Sequence, residues 1–330
     1  PRPCLIAKVC GTSLSTSAAS PEENPFMKLF ALFCSLSILT FASPHPQLPG
    51  IGKAMQGHVD AGVISGAVTL VLSADKVLHF EATGYADIAS ARPMQLDSAF
   101  QIRSMTKPTT GVAIAMLQEQ GKLKLDDPVA KFIPAFADLR TPSGKPANLT
   151  IAHLVTHTSG LGEGRGIAGR DPIPAATLND LVIQALASPM QFEPGARWKY
   201  CQSGINTAAH IVERISGRSF DEFLDESVFT PLGMHDTSHH PDAALRERMV
   251  TLYRKNDETG TAEPQPPPAD IASPARLPLG NSGLISTAFD YGRFCQMLLN
   301  EGELNGVRLL QPEAVALLRT PRTKDPKAGF

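Results

Sequence analysis

Polar and apolar positions first settle into a strand rhythm at residues 63–85. Gly66-Ala-Val-Thr-Leu-Val-Leu-Ser73 is rich in β-forming residues, Ala74-Asp75-Lys76 supplies a polar turn, and Val77-Leu-His-Phe-Glu-Ala-Thr83 returns. This pattern predicts a β-hairpin. The period then changes to that of a helix. Gly111-Val-Ala-Ile-Ala-Met-Leu117 is an apolar, helix-permissive run that ends near Gly121, and the segment after Leu123 turns into a short helical stretch ending near Pro134. Leu178, Leu181, Val182 and Leu186 form one stripe of a helix over 177–186. Ile205, Ala208, Ala209, Val212 and Ile215 do the same for a longer helix, with Gly217 as its natural stop. Ser219 and Glu222 predict a capping box for a third helix, which carries Phe220, Phe223 and Leu224 and ends at Pro231. Residues 256–279 contain Gly260, Pro264, Pro266, Pro267, Pro268, Pro274 and Pro278 and predict a long loop, of the kind that often rims a site. A further helix is expected from Ser286, with Tyr291, Phe294, Cys295 and Leu298 on one face, and a short one from Gln311-Pro312. Nothing after Gly280 reads as a long strand, and there is no internal repeat.

Composition bounds the class. The 330 residues suffice for one large domain or two moderate ones, and 42 % hydrophobic against 19 % charged residues allows a sizeable core. A net charge of -2 without a long basic run argues against a nucleic-acid partner. Met27-Lys28 precedes the apolar run 29–41 and the small residue Ala42, which predicts a signal peptide cleaved after Ala42 and export to the periplasm or the exterior. That run is too short for a stable membrane span. Cys4, Cys10 and Cys34 fall in residues 1–43, the extension and signal-like stretch, leaving Cys201 and Cys295, which make no disulfide framework; Cys295 reads as a small core residue.

Candidate chemistry centres on Phe100-Gln-Ile-Arg-Ser104-Met-Thr-Lys107-Pro108. At the start of a helix, residues three apart share a face, so Lys107 would sit beside Ser104. A serine hydroxyl needs a proton acceptor before it attacks, and a lysine in an apolar pocket can provide one. A helix N-terminus adds free N–H groups suited to a developing oxyanion. His153 and His157 stand four apart as a zinc pair would, but no Glu lies between them in the metalloprotease pattern and no third ligand is evident. His235, His239 and His240 cluster in a loop with no spacing that marks a site.

Five stretches occur together in order: Ser104-Met-Thr-Lys107; Leu149-Thr-Ile-Ala-His-Leu-Val-Thr-His-Thr-Ser-Gly-Leu161; Tyr200 after Glu193-Pro-Gly195; Pro231-Leu-Gly-Met-His-Asp-Thr237; and Gly283-Leu-Ile-Ser-Thr287. With these the chain resembles the serine β-lactamase-related hydrolases, which include class C β-lactamases, D-alanyl-D-alanine carboxypeptidases and esterases, from about residue 48 to about 318. The resemblance implies an α+β fold of the penicillin-binding-protein type: an antiparallel sheet flanked by helices, plus a mostly helical domain. Residues 1–43 would be extension and signal peptide, 47–102 with 281–330 the sheet domain, and 103–280 the helical domain. It implies Ser104 as acylated nucleophile, Lys107 in proton transfer and Tyr200 as general base or acid. Gln202 stands where Asn is usual and would meet the substrate amide one methylene further out. Cys201 between them is expected to be packing. The third motif, Lys/His-x-Gly on a strand, is not found, so the chain is expected to lack C-terminal sheet strands and half of the oxyanion hole. No cofactor and no metal are implied. The expected function is a secreted esterase acting on small ester or amide substrates. A β-lactamase or D-alanyl-D-alanine carboxypeptidase on cell-wall peptides is the alternative, and a non-catalytic ligand sensor a second one.

Overall fold

A computed structural model describes residues 45–163, 175–258, 260 and 262–323. The signal-like stretch of residues 27–42 and the charged end from residue 324 lie outside the described residues. The hairpin forms as its alternation predicts. Helix α1 (Ile51–Asp60) packs on strands β1 (Gly66–Leu72) and β2 (Val77–Asp87), which run antiparallel with Leu70 opposite Phe80; a short β3 (Arg92–Pro93) extends the sheet from β2.

A second pairing positions the site. Strand β4 (Ala99–Gln101) is the lead-in to the Ser104 turn and pairs antiparallel with a strand far along the chain, Ile285–Thr287, with Gln101 opposite Ile285. The ladder continues past β4, because Ile102 N–H donates to Leu284 O at 3.1 Å. A single 3-10 turn, Arg103–Thr106, then hands over to helix α2 (Lys107–Glu119), whose first turn holds Pro108. Helix α2 buries Val112, Ala113, Ile114, Ala115 and Leu117, so it is apolar nearly all round, as expected of a central helix.

Around it lie α3 (Ile151–Val155), α4 (Leu178–Leu186) and α5 (Gln202–Ser216). Thr150 caps α3 and Thr177 caps α4, each by accepting the N–H three residues on. Helix α5 ends where predicted, with Gly217 in the left-handed region at φ 73. Helix α6 (Phe220–Leu224) carries the predicted Ser219–Glu222 capping box. One core joins these helices through Ile114, Leu117, Leu154, Ile211, Phe220, Phe229 and Phe294. Each such side chain contributes about 1.5–3 kcal/mol by leaving water.

Three sequence expectations are corrected. The helix from Phe220 does not stop at Pro231: a π-turn over Asp225–Phe229 carries it into a further turn, Thr230–Leu232, where Pro231 occupies a first-turn position whose N–H needs no partner. Beyond α7 (Ala243–Glu247), the segment from 256 to 279 is not loop throughout. Strands β5 (Leu252–Lys255) and β6 (Ala262–Gln265) form a hairpin that tolerates Pro264 because β6 is an edge. Ser286 and Thr287 belong to strand β7 (Ile285–Thr287), and Thr287 caps the next helix by accepting Asp290 N–H at 3.2 Å, so α8 runs Ala288–Leu299. The chain continues through the short hairpin β8 (Glu303–Leu304) and β9 (Val307–Arg308) to α9 (Pro312–Leu318). No helix among the described residues is long and apolar enough to cross a membrane.

Residues 157–160 are stitched to 191–199: Gln191 N–H donates to Gly160 O at 2.7 Å and Lys199 N–H to His157 O at 2.9 Å. Gly160 has φ 73, and a Cβ there would stand 2.1 Å from Phe192 O. Gly160→Ala is therefore expected to lose about 1–3 kcal/mol from backbone strain alone, with the clash added. Urea denaturation checks this; an unchanged midpoint would contradict the stitching.

Candidate active site

The turn that carries Ser104 begins with strain. Arg103 adopts φ 48, a left-handed conformation that costs a non-glycine residue about 1–2 kcal/mol. Strand β4 before it and α2 after it hold the turn, and Tyr291 donates its phenol proton to Met105 O at 3.0 Å. The result is an exposed Ser104 on a fixed backbone.

Three predicted residues meet there. Tyr200 Oη donates to Ser104 Oγ at 2.8 Å, and Lys107 Nζ donates to the same oxygen at 3.1 Å. Lys107 Nζ also donates to Asn281 O at 2.8 Å and lies 4.7 Å from the centre of the Tyr200 ring, within the range of a cation–π contact. Tyr200 is 39 % exposed, so its phenol edge is open to a ligand.

Tyr200 is positioned by His157. Their ring centroids are 4.6 Å apart, and Cys201 N–H, the next peptide along, donates to His157 Nδ1 at 3.0 Å. His157 is buried and has φ 60. Because Nδ1 accepts, the ring is neutral. Burial, and then the Lys107 charge, push its pKa down to about 4. His153 does other work: its Nδ1 accepts from Thr150 N–H at 3.2 Å at the start of α3. The described residues contain no group of three possible metal ligands.

Gln202 makes no hydrogen bond to Lys107 among the described residues. It opens α5, and its Oε1 accepts from Asn281 Nδ2 at 2.9 Å. Asn281 N–H donates to Asn206 Oδ1 at 3.2 Å, so α5 grips the turn 279–283 from two positions. Thr110 donates to Gly280 O at 2.7 Å, and His239 Nε2 lies 3.0 Å from Leu279 O. The buried Arg276 guanidinium donates to Gly283 O at 2.8 Å and also to His239 O. The carbonyl that receives Lys107 is thus fixed on every side. Glu163 occupies the N-terminus of α5, accepting from Gln202 N–H at 2.6 Å and from Ser203 N–H at 3.2 Å. Cys201 Sγ accepts from Gly204 N–H at 3.4 Å as the cap of α5; burial first, then Glu163, pushes its thiol up to about 11. It is a packing residue with no thiolate at neutral pH.

Sequence reasoning missed His157, Asn281 and Glu163. The first two lie inside or beside stretches already singled out, the His-Thr-Ser-Gly run and the segment before Gly283. Nothing in the sequence pointed to Glu163.

The chain belongs to the β-lactamase family, whose model matches residues 51–330. It is 38 % identical over 295 residues to an uncharacterized protein of Mycobacterium tuberculosis (strain CDC 1551 / Oshkosh), covering 84 % of this chain and 73 % of that one. It is 31 % identical over 251 residues to esterase EstB of Burkholderia gladioli, covering 68 % of this chain and 63 % of the esterase. Among solved structures it is similar to EstCE1, a hydrolase with promiscuous acyltransferase activity, at a TM-score of 0.71 and 24 % identity, over 81 % of this chain and 75 % of that one. The fold is α+β, that of the β-lactamase-like hydrolases.

Two buried histidines give the fold a pH signature. His157 and His239 both have pKa values pushed to about 4 by burial, against 6.5 in a free chain. Between these values the unfolded chain binds protons that the folded one refuses, so the free energy of unfolding falls as pH falls from about 6.5 to about 4. The loss is on the order of 3 kcal/mol per histidine. Asp290, raised by burial, opposes it at the acidic end. Melting temperature is expected to drop between about pH 7 and pH 4.5, and less so in His239→Gln. A flat profile would contradict neutral burial.

Proposed function

We propose that this protein is a serine acyl hydrolase acting through a Ser104 acyl-enzyme, with esters of small acyl groups as its preferred substrates. The observation that carries the reading is the meeting of Tyr200 Oη, at 2.8 Å, and Lys107 Nζ, at 3.1 Å, on one exposed serine oxygen. Ser104 Oγ attacks the acyl carbon. Its proton passes to the Tyr200–Lys107 pair, through Tyr200 Oη as the nearer partner. The same proton goes to the leaving oxygen as the ester C–O bond breaks. Water then attacks the acyl-enzyme by the reverse route and frees Ser104. In this reading the Ser104 N–H, at the head of the turn into α2, donates to the developing oxyanion.

Gln202 favours esters over lactams and peptides. Its amide oxygen already accepts from Asn281 Nδ2, so the N–H of an amide substrate would have to share that oxygen. An ester has no such N–H to satisfy. The esterase relative, EstB, is in keeping with this preference.

The test is kinetic. Lys107→Arg keeps the charge but cannot give up its proton, and Tyr200→Phe removes the proton carrier at the same shape. Each is expected to lower kcat/KM for a p-nitrophenyl short-chain ester by about 10²-fold or more, and Ser104→Ala to abolish it. The same ester is expected to be turned over faster than a chromogenic cephalosporin. Near-normal turnover in both proton-carrier variants, or a clear preference for the cephalosporin, would overturn the assignment. Labelling by a fluorescent phosphonate, lost in Ser104→Ala, separates an enzyme from a protein that only binds.

A further inference from the structure

The segment 284–291 closes on the Ser104 turn at three points. Before the turn, Leu284 O accepts Ile102 N–H at 3.1 Å, and β7 pairs with β4. At its end, Thr106 Oγ1 accepts Leu284 N–H at 3.4 Å. Between these, Tyr291 reaches in from the first turns of α8, and its Oη donates to Met105 O at 3.0 Å across 186 residues of chain.

Pro108 explains why a side chain is needed at that carbonyl. The turn is a 3-10 helix, in which each N–H donates to the carbonyl three residues back. Met105 N–H donates to Ile102 O at 3.0 Å, and Lys107 N–H donates to Ser104 O. The next bond of the series would run from residue 108 to Met105 O, but Pro108 has no N–H. Met105 O is therefore the carbonyl at which the ladder breaks, one residue past the nucleophile. Packing does little to hold that peptide unit, because the Met105 side chain is 48 % exposed. The turn also carries the left-handed Arg103 at φ 48, whose strain relaxes if the turn is let go.

Tyr291 is suited to the gap. Its ring packs on Phe294, with centroids 5.6 Å apart, and on the main core, so the oxygen arrives on a fixed arm. Burial, and then Cys295, push the phenol up to about 12, which keeps it protonated and a donor at neutral pH.

We propose that Tyr291 is a positioning residue of the active site: its phenol proton replaces the N–H that Pro108 lacks and so fixes the backbone that aims Ser104 Oγ. Its catalytic consequence rests on the acyl-hydrolase reading above. Tyr291 does not touch the reacting atoms; it acts through the Met105 carbonyl.

Tyr291→Phe removes the donor and keeps the ring. It is expected to lower kcat for a p-nitrophenyl short-chain ester about tenfold and to change KM by less than about twofold, because the loss falls on the geometry of attack. Pro108→Ala supplies an N–H at the position from which the 3-10 ladder reaches Met105 O. Added to Tyr291→Phe, it is expected to cut the tenfold loss to about threefold or less, measured against Pro108→Ala alone. A phenol that only packs would show no such rescue. Hydrogen–deuterium exchange reads the turn without any chemistry: the Met105, Thr106 and Lys107 amides are expected to exchange about tenfold faster in Tyr291→Phe and to slow again when Pro108→Ala is added. That pattern supports the assignment even if no ester is hydrolysed, an outcome that would sink the hydrolase reading alone. Unchanged exchange in Tyr291→Phe, or the same loss of kcat with and without Pro108→Ala, would overturn it.

Discussion

The Lys107 ammonium joins two parts of the chain that are 174 residues apart, donating at once to Ser104 Oγ and to Asn281 O. A flexible four-carbon stem does not hold one position by itself, so the site depends on both acceptors being fixed. The first is fixed by the strained turn between β4 and α2. The second is fixed by the hydrogen bonds that converge on residues 279–283 from Thr110, Asn206, Gln202, His239 and Arg276. The β4–β7 pairing brings the two acceptors together, since Ile102 and Leu284 continue that ladder to within two residues of Ser104. Much of the buried polar network in this half of the protein thus serves one cation.

The same economy shows in the charges around it. His157 is kept neutral under Tyr200, so Lys107 is the cation that acts on the phenol. Glu163 satisfies the first N–H groups of α5 from within the chain. Cys201, between the tyrosine and the glutamine, is held as an inert thiol by burial. Gln202, where Asn is usual, reaches across to the Asn281 side chain, and Lys107 takes the Asn281 backbone carbonyl.

What was legible in the sequence was what local physics decides. The first hairpin, the stripes of α4 and α5, the Ser219 capping box and the stop at Gly217 all follow from periodicity and capping within a few residues. Ser104 and Lys107 were legible through their spacing and Tyr200 through the family resemblance, and the three side chains meet on one oxygen. The errors lie where a distant partner overrides a local signal. Ser286 reads as a helix start, but its pairing with Phe100 makes it a strand. The segment around Pro264 reads as loop, but an edge position beside Tyr253 makes it a strand as well. Asn281 and His157 act through contacts 44 to 174 residues away along the chain, and no local pattern encodes these.

The central claim is that the oxygen held by Lys107 and Tyr200 becomes acylated. It is tested most directly by trapping: brief incubation with an activated aryl ester, acid quench, trypsin digestion and mass spectrometry of the peptides. The account predicts one acyl group on the peptide that begins at Ser104, absent from the Ser104→Ala protein and accumulating in proportion to the burst of released phenol. An adduct on the peptide containing Cys201, or ester hydrolysis with no adduct at Ser104, would contradict it.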